Sequence, residues 1–151
     1  MIDTVEIDVC AGDGGGGAVS FRREKGVPKG GPNGGNGGRG GSVFLWGDPT
    51  LATLRSLTTG KAYRGERGEN GRGKDQHGKS GKDLSIAVPV GCVAWGLDEP
   101  DGNQFIGEVV EPAAKLLVAK GGQGGRGNAT YATASQQTPY IAEKGEKGER
   151  Y

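Results

Sequence analysis

Residues Gly73-Lys74-Asp75-Gln76-His77-Gly78-Lys79-Ser80 fit the pattern G-x-x-x-x-G-K-[ST] letter for letter. That pattern marks a loop whose backbone N–H groups cradle phosphates. The chemistry needs a buried strand before the loop and a helix N-terminus after it, which together supply aligned donors and a favourable dipole. Neither is expected here. Residues 66–72 are polar and glycine-rich, and Gly81-Lys82-Asp83 leads into the β-branched run Leu84–Val90. No aspartate following an apolar strand stands downstream to hold a magnesium ion. The match is a product of a segment rich in glycine and lysine, and nucleotide binding is not assigned to it. His77, the only histidine, has no nucleophile and no partner ligands nearby, so it reads as a loop histidine placed to touch a phosphate or a base. Cys10 and Cys92 stand far apart in strand-like runs without a CxxC or Cys/His cluster, which excludes a zinc site. They read as reduced core thiols, with a disulfide as the alternative. No carboxylate pair, triad or metal cluster is present, so these residues are expected to bind rather than catalyse.

The charges that could bind are sorted along the chain. Residues 20–41 carry Arg22, Arg23, Lys25, Lys29 and Arg39 against Glu24. Residues 61–82 carry seven Lys/Arg, among them Arg72, Lys74, Lys79 and Lys82, against three acids, and residues 120–128 add Lys120 and Arg126. The formal net charge of the whole chain is only +1, so the remainder is strongly acidic. Basic clusters set apart in this way are the electrostatic footprint of a polyanion.

The same segments hold the glycines. Glycine supplies 33 of the 151 residues, far above its usual share of roughly 7%. It recurs at every third place: Gly31, Gly34, Gly37 and Gly40, with Gly35, Gly38 and Gly41; then Gly65, Gly68 and Gly71, extended loosely by Gly78 and Gly81; then Gly121, Gly124 and Gly127; then Gly145 and Gly148. A chain with three residues per turn is the polyproline II helix, and glycine at each third position bares one side of it for close packing. The blocks are too short and too interrupted for collagen. They predict a small intramolecular bundle, the alternative being flexible linkers.

Apolar residues fall in short runs between the blocks. Residues 2–10 alternate, Ala18–Phe21 reads as a second strand, and 42–46, 84–90, 92–95, 105–110 and 115–119 follow, with a helical turn near Leu51–Leu57 and a hairpin loop at 98–102. Trp46 and Trp95 are expected in the core. Seven or eight short strands predict a mainly β fold, a sandwich or barrel base carrying the glycine bundle. No apolar run approaches the ~20 residues of a membrane helix, and residues 2–6 open directly into a strand rather than a signal peptide. A soluble, reducing, intracellular setting is expected.

Taken together, Gly12-Asp13-Gly14-Gly15-Gly16-Gly17-Ala18-Val19-Ser20-Phe21-Arg22-Arg23-Glu24-Lys25, Pro28–Pro32 with the GGxGG series to Gly41, Gly65–Lys74, His77-Gly78-Lys79, Val88–Gly91, Gly121–Asn128 and Ala142–Glu146 closely resemble the N-terminal domain of the Obg GTPases. The resemblance covers essentially the whole chain. It implies one domain, 1–151, with an eight-stranded β base and six polyproline-type helices. It implies a following GTPase domain that binds GTP and magnesium, so that residues 1–151 would carry neither cofactor nor catalytic residue. It implies a part in assembly of the large ribosomal subunit and in the stringent response, docking on ribosomal RNA near the peptidyl-transferase region, with the GTPase domain as a partner in cis. The RNA-facing residues would be Arg22, Arg23, Lys25, Lys29, Arg39, Arg72, Lys74, His77, Lys79, Lys82 and Arg126. A monomer is expected, in the cytoplasm or alternatively in a mitochondrion or chloroplast. A protein-interaction domain that docks or regulates the GTPase, through its acidic base, is the second reading. Gly16 and the stretch 95–107 depart from the family pattern.

Overall fold

The structure, a computed structural model, describes residues 4–21, 31–55, 57, 60–97, 102–131 and 144–147. It is mainly β with almost no helix. Seven strands lie among the described residues: β1 (Asp8–Cys10), β2 (Val43–Gly47), β3 (Ala62–Arg64), β4 (Leu84–Val88), β5 (Val93–Gly96), β6 (Gln104–Glu108) and β7 (Lys115–Ala119), followed by a single 3-10 turn at Asn128–Tyr131. β1 pairs parallel with β3. β2 lies between β4, parallel, and β7, antiparallel. β5 and β6 pair antiparallel; residues 98–101 of the expected hairpin loop lie outside the described residues.

Alternation along these strands builds the core. In β2, Val43 and Leu45 are buried while Phe44 and Trp46 on the other face are half-buried, as the two-residue period of a strand requires. Ile86 and Val88 of β4, Val118 and Ala119 of β7, and Val9, Ala11 and Val109 complete the buried cluster. Cys10 and Cys92 are free and half-buried. Burial pushes the Cys92 thiol above its ordinary pKa, which disfavours the thiolate.

Three expectations need correction. Ala18–Phe21 is not a strand; it is extended chain, with one isolated bridge from Phe21 to Pro32. Trp95 is not in the core. It is 55% exposed, as is Phe105, and the two rings meet edge to face at 5.3 Å, because the β5–β6 hairpin turns this face to solvent. The described residues of 51–57 hold bends and turns rather than a helix.

Six extended segments stand side by side: I (11–20), II (32–42), III (65–72), IV (77–83), V (120–127) and VI (144–147). Five of these glycine-bearing segments adjoin a strand at one end, I after β1, II before β2, III after β3, IV before β4 and V after β7. Gly78 and Gly81 are thus not an extension of the third block but a separate segment that returns beside it. Ser42 stitches bundle to base: its hydroxyl accepts the Gly121 N–H at 2.9 Å, and its N–H donates to Asp83 Oδ1 at 2.8 Å.

Candidate nucleic-acid interface

The bundle is held by backbone hydrogen bonds that advance in steps of three. Gly12, Gly15 and Ala18 of segment I donate to Gly41, Gly38 and Gly35 of segment II at 2.8–3.0 Å. The N–H groups of Gly41, Gly38 and Gly35 donate in turn to Glu66, Glu69 and Arg72 of segment III, and Gly65, Gly68 and Gly71 return the circuit to Cys10, Asp13 and Gly16. Segment V closes a second circuit: Gly40 and Gly37 donate to Gly122 and Gly125, whose N–H groups donate to Gly12 and Gly15. Segment IV accepts from segment III at Lys82 and Lys79 and donates to segment II through Gly78 and Gly81. Segment VI joins through Gly14 N–H to Glu146 O and Glu146 N–H to Gln123 O.

Close approach is what demands glycine here. A Cβ on Gly37 would run into the Gly15 carbonyl, one on Gly38 into that of Lys79, one on Gly68 into that of Gly38, and one on Gly124 into that of Gly37. Gly34, Gly40, Gly65, Gly71, Gly121 and Gly127 are packed against carbonyls in the same way. Gly31 is the correction: it is exposed, and a Cβ there would meet nothing within 4 Å. The period reaches it, but the described pairing with segment I ends one residue short of it, at the Phe21–Pro32 bridge.

Because segments I to V each adjoin a strand at one end only, the bundle has a far end. Six residues separate Gly12 from Ala18, which at a rise near 3.1 Å places that end roughly 19 Å beyond the base. The chain turns there between segments III and IV at Gly73–Gln76. Lys74 and Asp75 both take positive φ, +61° and +56°, a left-handed conformation uncommon for residues other than glycine, asparagine and aspartate. Arg72 N–H donates to Gln76 O at 2.8 Å, and Asp75 N–H is tied to Asn33 O at 2.7 Å. The turn therefore projects its two charges from a fixed position. Phe21, Pro32 and Asn128 lie at this same end.

Of the residues expected to face RNA, Arg39, Arg72, Lys74, His77, Lys79, Lys82 and Arg126 are all exposed. Arg72, Lys74 and His77 gather at the far end; Lys79, Lys82 and Arg39 descend the side of the bundle on segments IV and II. Arg22, Arg23, Lys25 and Lys29 lie outside the described residues. His77 is not a bare loop histidine. Its Nδ1 accepts the Asn36 N–H at 2.9 Å, which ties the exposed ring to segment II.

The phosphate-loop match cannot hold a nucleotide. The N–H groups of Gly78 and Gly81 are spent on Asn36 and Arg39, that of Gln76 points to Gly73 O, and the segment runs into β4 instead of a helix. GTP and magnesium thus find no fit at these residues. Among the described residues no group of three or more His, Cys, Asp or Glu is arranged to hold a metal. No helix among them is long and apolar enough to cross a membrane.

The asparagines were missed by sequence reasoning. Asn128 Oδ1 accepts from Gly34 N–H at 2.8 Å, Asn36 Oδ1 from Gly127 N–H at 2.9 Å, and Asn70 Oδ1 from Gly16 N–H at 2.9 Å. A carboxamide is the nearest side-chain copy of a peptide group, and each here accepts a backbone N–H of a neighbouring segment. The signal was the presence of asparagine inside glycine blocks.

A β base of which five strands each adjoin one segment of a glycine-packed, polyproline-type bundle, with cations at its far end, defines a domain of the Obg fold. The sequence pattern of the GTP1/OBG family matches residues 2–151, and the chain belongs to that family. It is 51% identical over 148 residues to a protein named GTPase Obg from Thermoanaerobacter sp. (strain X514), covering 98% of this chain and 34% of the relative. It is 50% identical over 147 residues to the GTPase Obg of Moorella thermoacetica and 48% identical over 147 residues to that of Desulfitobacterium hafniense (strain DSM 10664 / DCB-2). The chain spans about a third of the length of these relatives.

Proposed function

We propose that residues 1–151 are the RNA-docking domain of an Obg-type GTPase acting in assembly of the large ribosomal subunit, and that GTP and magnesium are handled by a part of the protein that this chain does not include. The observation that carries the reading is the far end of the bundle. Backbone hydrogen bonds on every third residue stiffen six segments, and the strained Lys74–Asp75 turn, Arg72 and His77 are presented at their tip. Such a surface suits phosphate contacts, which position a protein on RNA without reading much sequence, and recognition by RNA shape.

Lys74, Lys79 and Lys82, each exposed, would contact phosphates, and the exposed His77 ring would touch a phosphate or a base. The test is sedimentation with large ribosomal subunits over a salt series. The expected result is affinity that falls steeply with salt and drops further on Lys74→Glu with Lys79→Glu. Tight binding indifferent to salt and to both charge reversals would refute the reading. The docking would be cytoplasmic, since the named relatives are bacterial.

A further inference from the structure

Segment I is enclosed by segments II, III, V and VI but stays open on one side, between III and VI. There the bundle forms a groove of about 350 Å³ with Asp13, Gly14 and Gly16 as its floor, Arg67 and Asn70 on one wall, and Lys144 and Lys147 on the other. It continues along segment III into a second concavity of about 360 Å³ that ends at Arg72. The side chains of Arg67, Arg72, Lys144 and Lys147 are exposed, and none of the four is ion-paired with another described residue. Asn70 fixes the wall to the floor. Its Oδ1 accepts both the Gly16 N–H at 2.9 Å and an Arg67 guanidinium N–H at 3.4 Å, so the arginine is held at the rim before any ligand arrives.

We infer that this flank groove is a second anion-binding site, a track for the phosphodiester backbone of an RNA strand running from the Lys144–Lys147 wall to Arg72. The four cations outnumber the two acids that line the groove, Asp13 and Glu69. Their spacing selects the ligand. Five residues of extended chain separate Arg67 from Arg72, roughly 15 Å, and one turn separates Lys144 from Lys147, roughly 9 Å. A single phosphate would reach one or two of them, whereas a chain of phosphates would reach all four. The groove is open and lined by glycines and by charged or amide side chains, without the aliphatic and aromatic side chains that hold a small molecule. Arg72 joins it without a break to the tip turn, which favours RNA over an acidic peptide. The inference rests on the RNA-docking reading above.

The experiment measures affinity for large-subunit ribosomal RNA as a function of salt, for the full chain and three variants. Arg67→Gln with Lys144→Gln and Lys147→Gln removes three flank cations. Arg55→Gln with Lys61→Gln and Lys115→Gln removes three from the base, and Lys74→Gln with Lys79→Gln removes two near the tip. Each phosphate contact contributes about 0.7–0.9 to the slope of log affinity against log salt. The flank variant is expected to lose about 2–3 from that slope, and the base variant nothing. In the unmodified chain the Gly16 amide resonance is expected to shift on RNA addition. If the tip variant weakens binding while the flank variant keeps its slope and Gly16 does not shift, the flank site is refuted and the docking reading survives. If the unmodified chain shows no salt-dependent RNA affinity, both fall. Displacement of RNA by an oligoglutamate peptide from the unmodified chain at lower concentration than by competing RNA would assign the groove to acidic peptides and overturn it.

Discussion

Asn128 and Gly34 meet at the far end of segments V and II, where the Asn128 carboxamide, 0% exposed, accepts the Gly34 N–H at 2.8 Å. The same oxygen accepts from Ser20 N–H at 3.3 Å, and the amide nitrogen donates to Ser20 O at 2.9 Å. One side chain thus ties three segments together just below the tip. Removing it leaves two N–H groups short of a partner, that of Gly34 in a buried site and that of Ser20 in a partly buried one, each costing up to about 1–3 kcal/mol.

Asn128→Ala is therefore expected to destabilise the domain by about 3 kcal/mol, read as a shift in urea midpoint with unchanged slope. Asn128→Asp keeps an acceptor but turns the donor facing Ser20 O into a second oxygen, so it is expected to be no milder at neutral pH. A loss below about 0.5 kcal/mol for both would show that water replaces the carboxamide.

Two glycines of the same block are expected to behave oppositely. Gly37→Ala drives a methyl group into the Gly15 carbonyl, with backbone on both sides unable to move aside. Overpacking of this kind costs about 1–3 kcal/mol or more, and loss of the folded bundle is the expected outcome. Gly31→Ala meets open space and should stay within about 0.5 kcal/mol of the parent. Equal tolerance at both positions in thermal melts would contradict the packing described.

This contrast also marks what the sequence made legible. The period of three was readable, and so, with hindsight, was position in the bundle. Segment II carries two glycine stripes because it has close neighbours on two sides: Gly34, Gly37 and Gly40 face segment I, and Gly35, Gly38 and Gly41 face segment IV. Segments III and IV lie at the periphery and carry one stripe each. What could not be read was where a stripe stops being packed, as at Gly31, because that depends on the length of the segment opposite. Trp95 was misjudged for a related reason. A tryptophan in a two-stranded hairpin alternates between faces like any other residue, and only the placement of the hairpin decides which face is covered. The tip cations were legible as charge, but their convergence needed the fold, and the flank groove unites residues near 13, 67 and 144 that share no local pattern.

The turn at Glu111–Ala114 gives a prediction on stability alone. Ala113 sits at φ +64° after Pro112, and Ala114 N–H closes the turn on Glu111 O at 3.1 Å. This is the third position of a type II turn, where glycine is favoured. Ala113 is exposed and its Cβ only adds strain. Ala113→Gly is expected to stabilise the domain by about 1 kcal/mol, raising the melting temperature by about 2–4 °C. Unchanged RNA affinity should accompany the gain, since the turn lies in the base; a lower melting temperature would show that the alanine methyl is packed.

The strained pair at the tip is expected to trade stability against binding. Lys74 and Asp75 occupy the two positive-φ positions of a tight turn, where Asn-Gly is the sequence of least strain. Replacing them, Lys74→Asn with Asp75→Gly, should stabilise the fold by about 1–2 kcal/mol because two left-handed residues are relieved. It also deletes the cation that the turn projects. The salt slope of RNA binding should then fall by about 0.7–0.9, one phosphate contact, while the melting temperature rises. The single variant Asp75→Gly separates the two effects, because it relieves strain and keeps Lys74. It should gain stability and retain the full slope. If Asp75→Gly alone lost RNA affinity as fully as the double variant, the rigidity of the turn, rather than the charge of Lys74, would be what the partner reads.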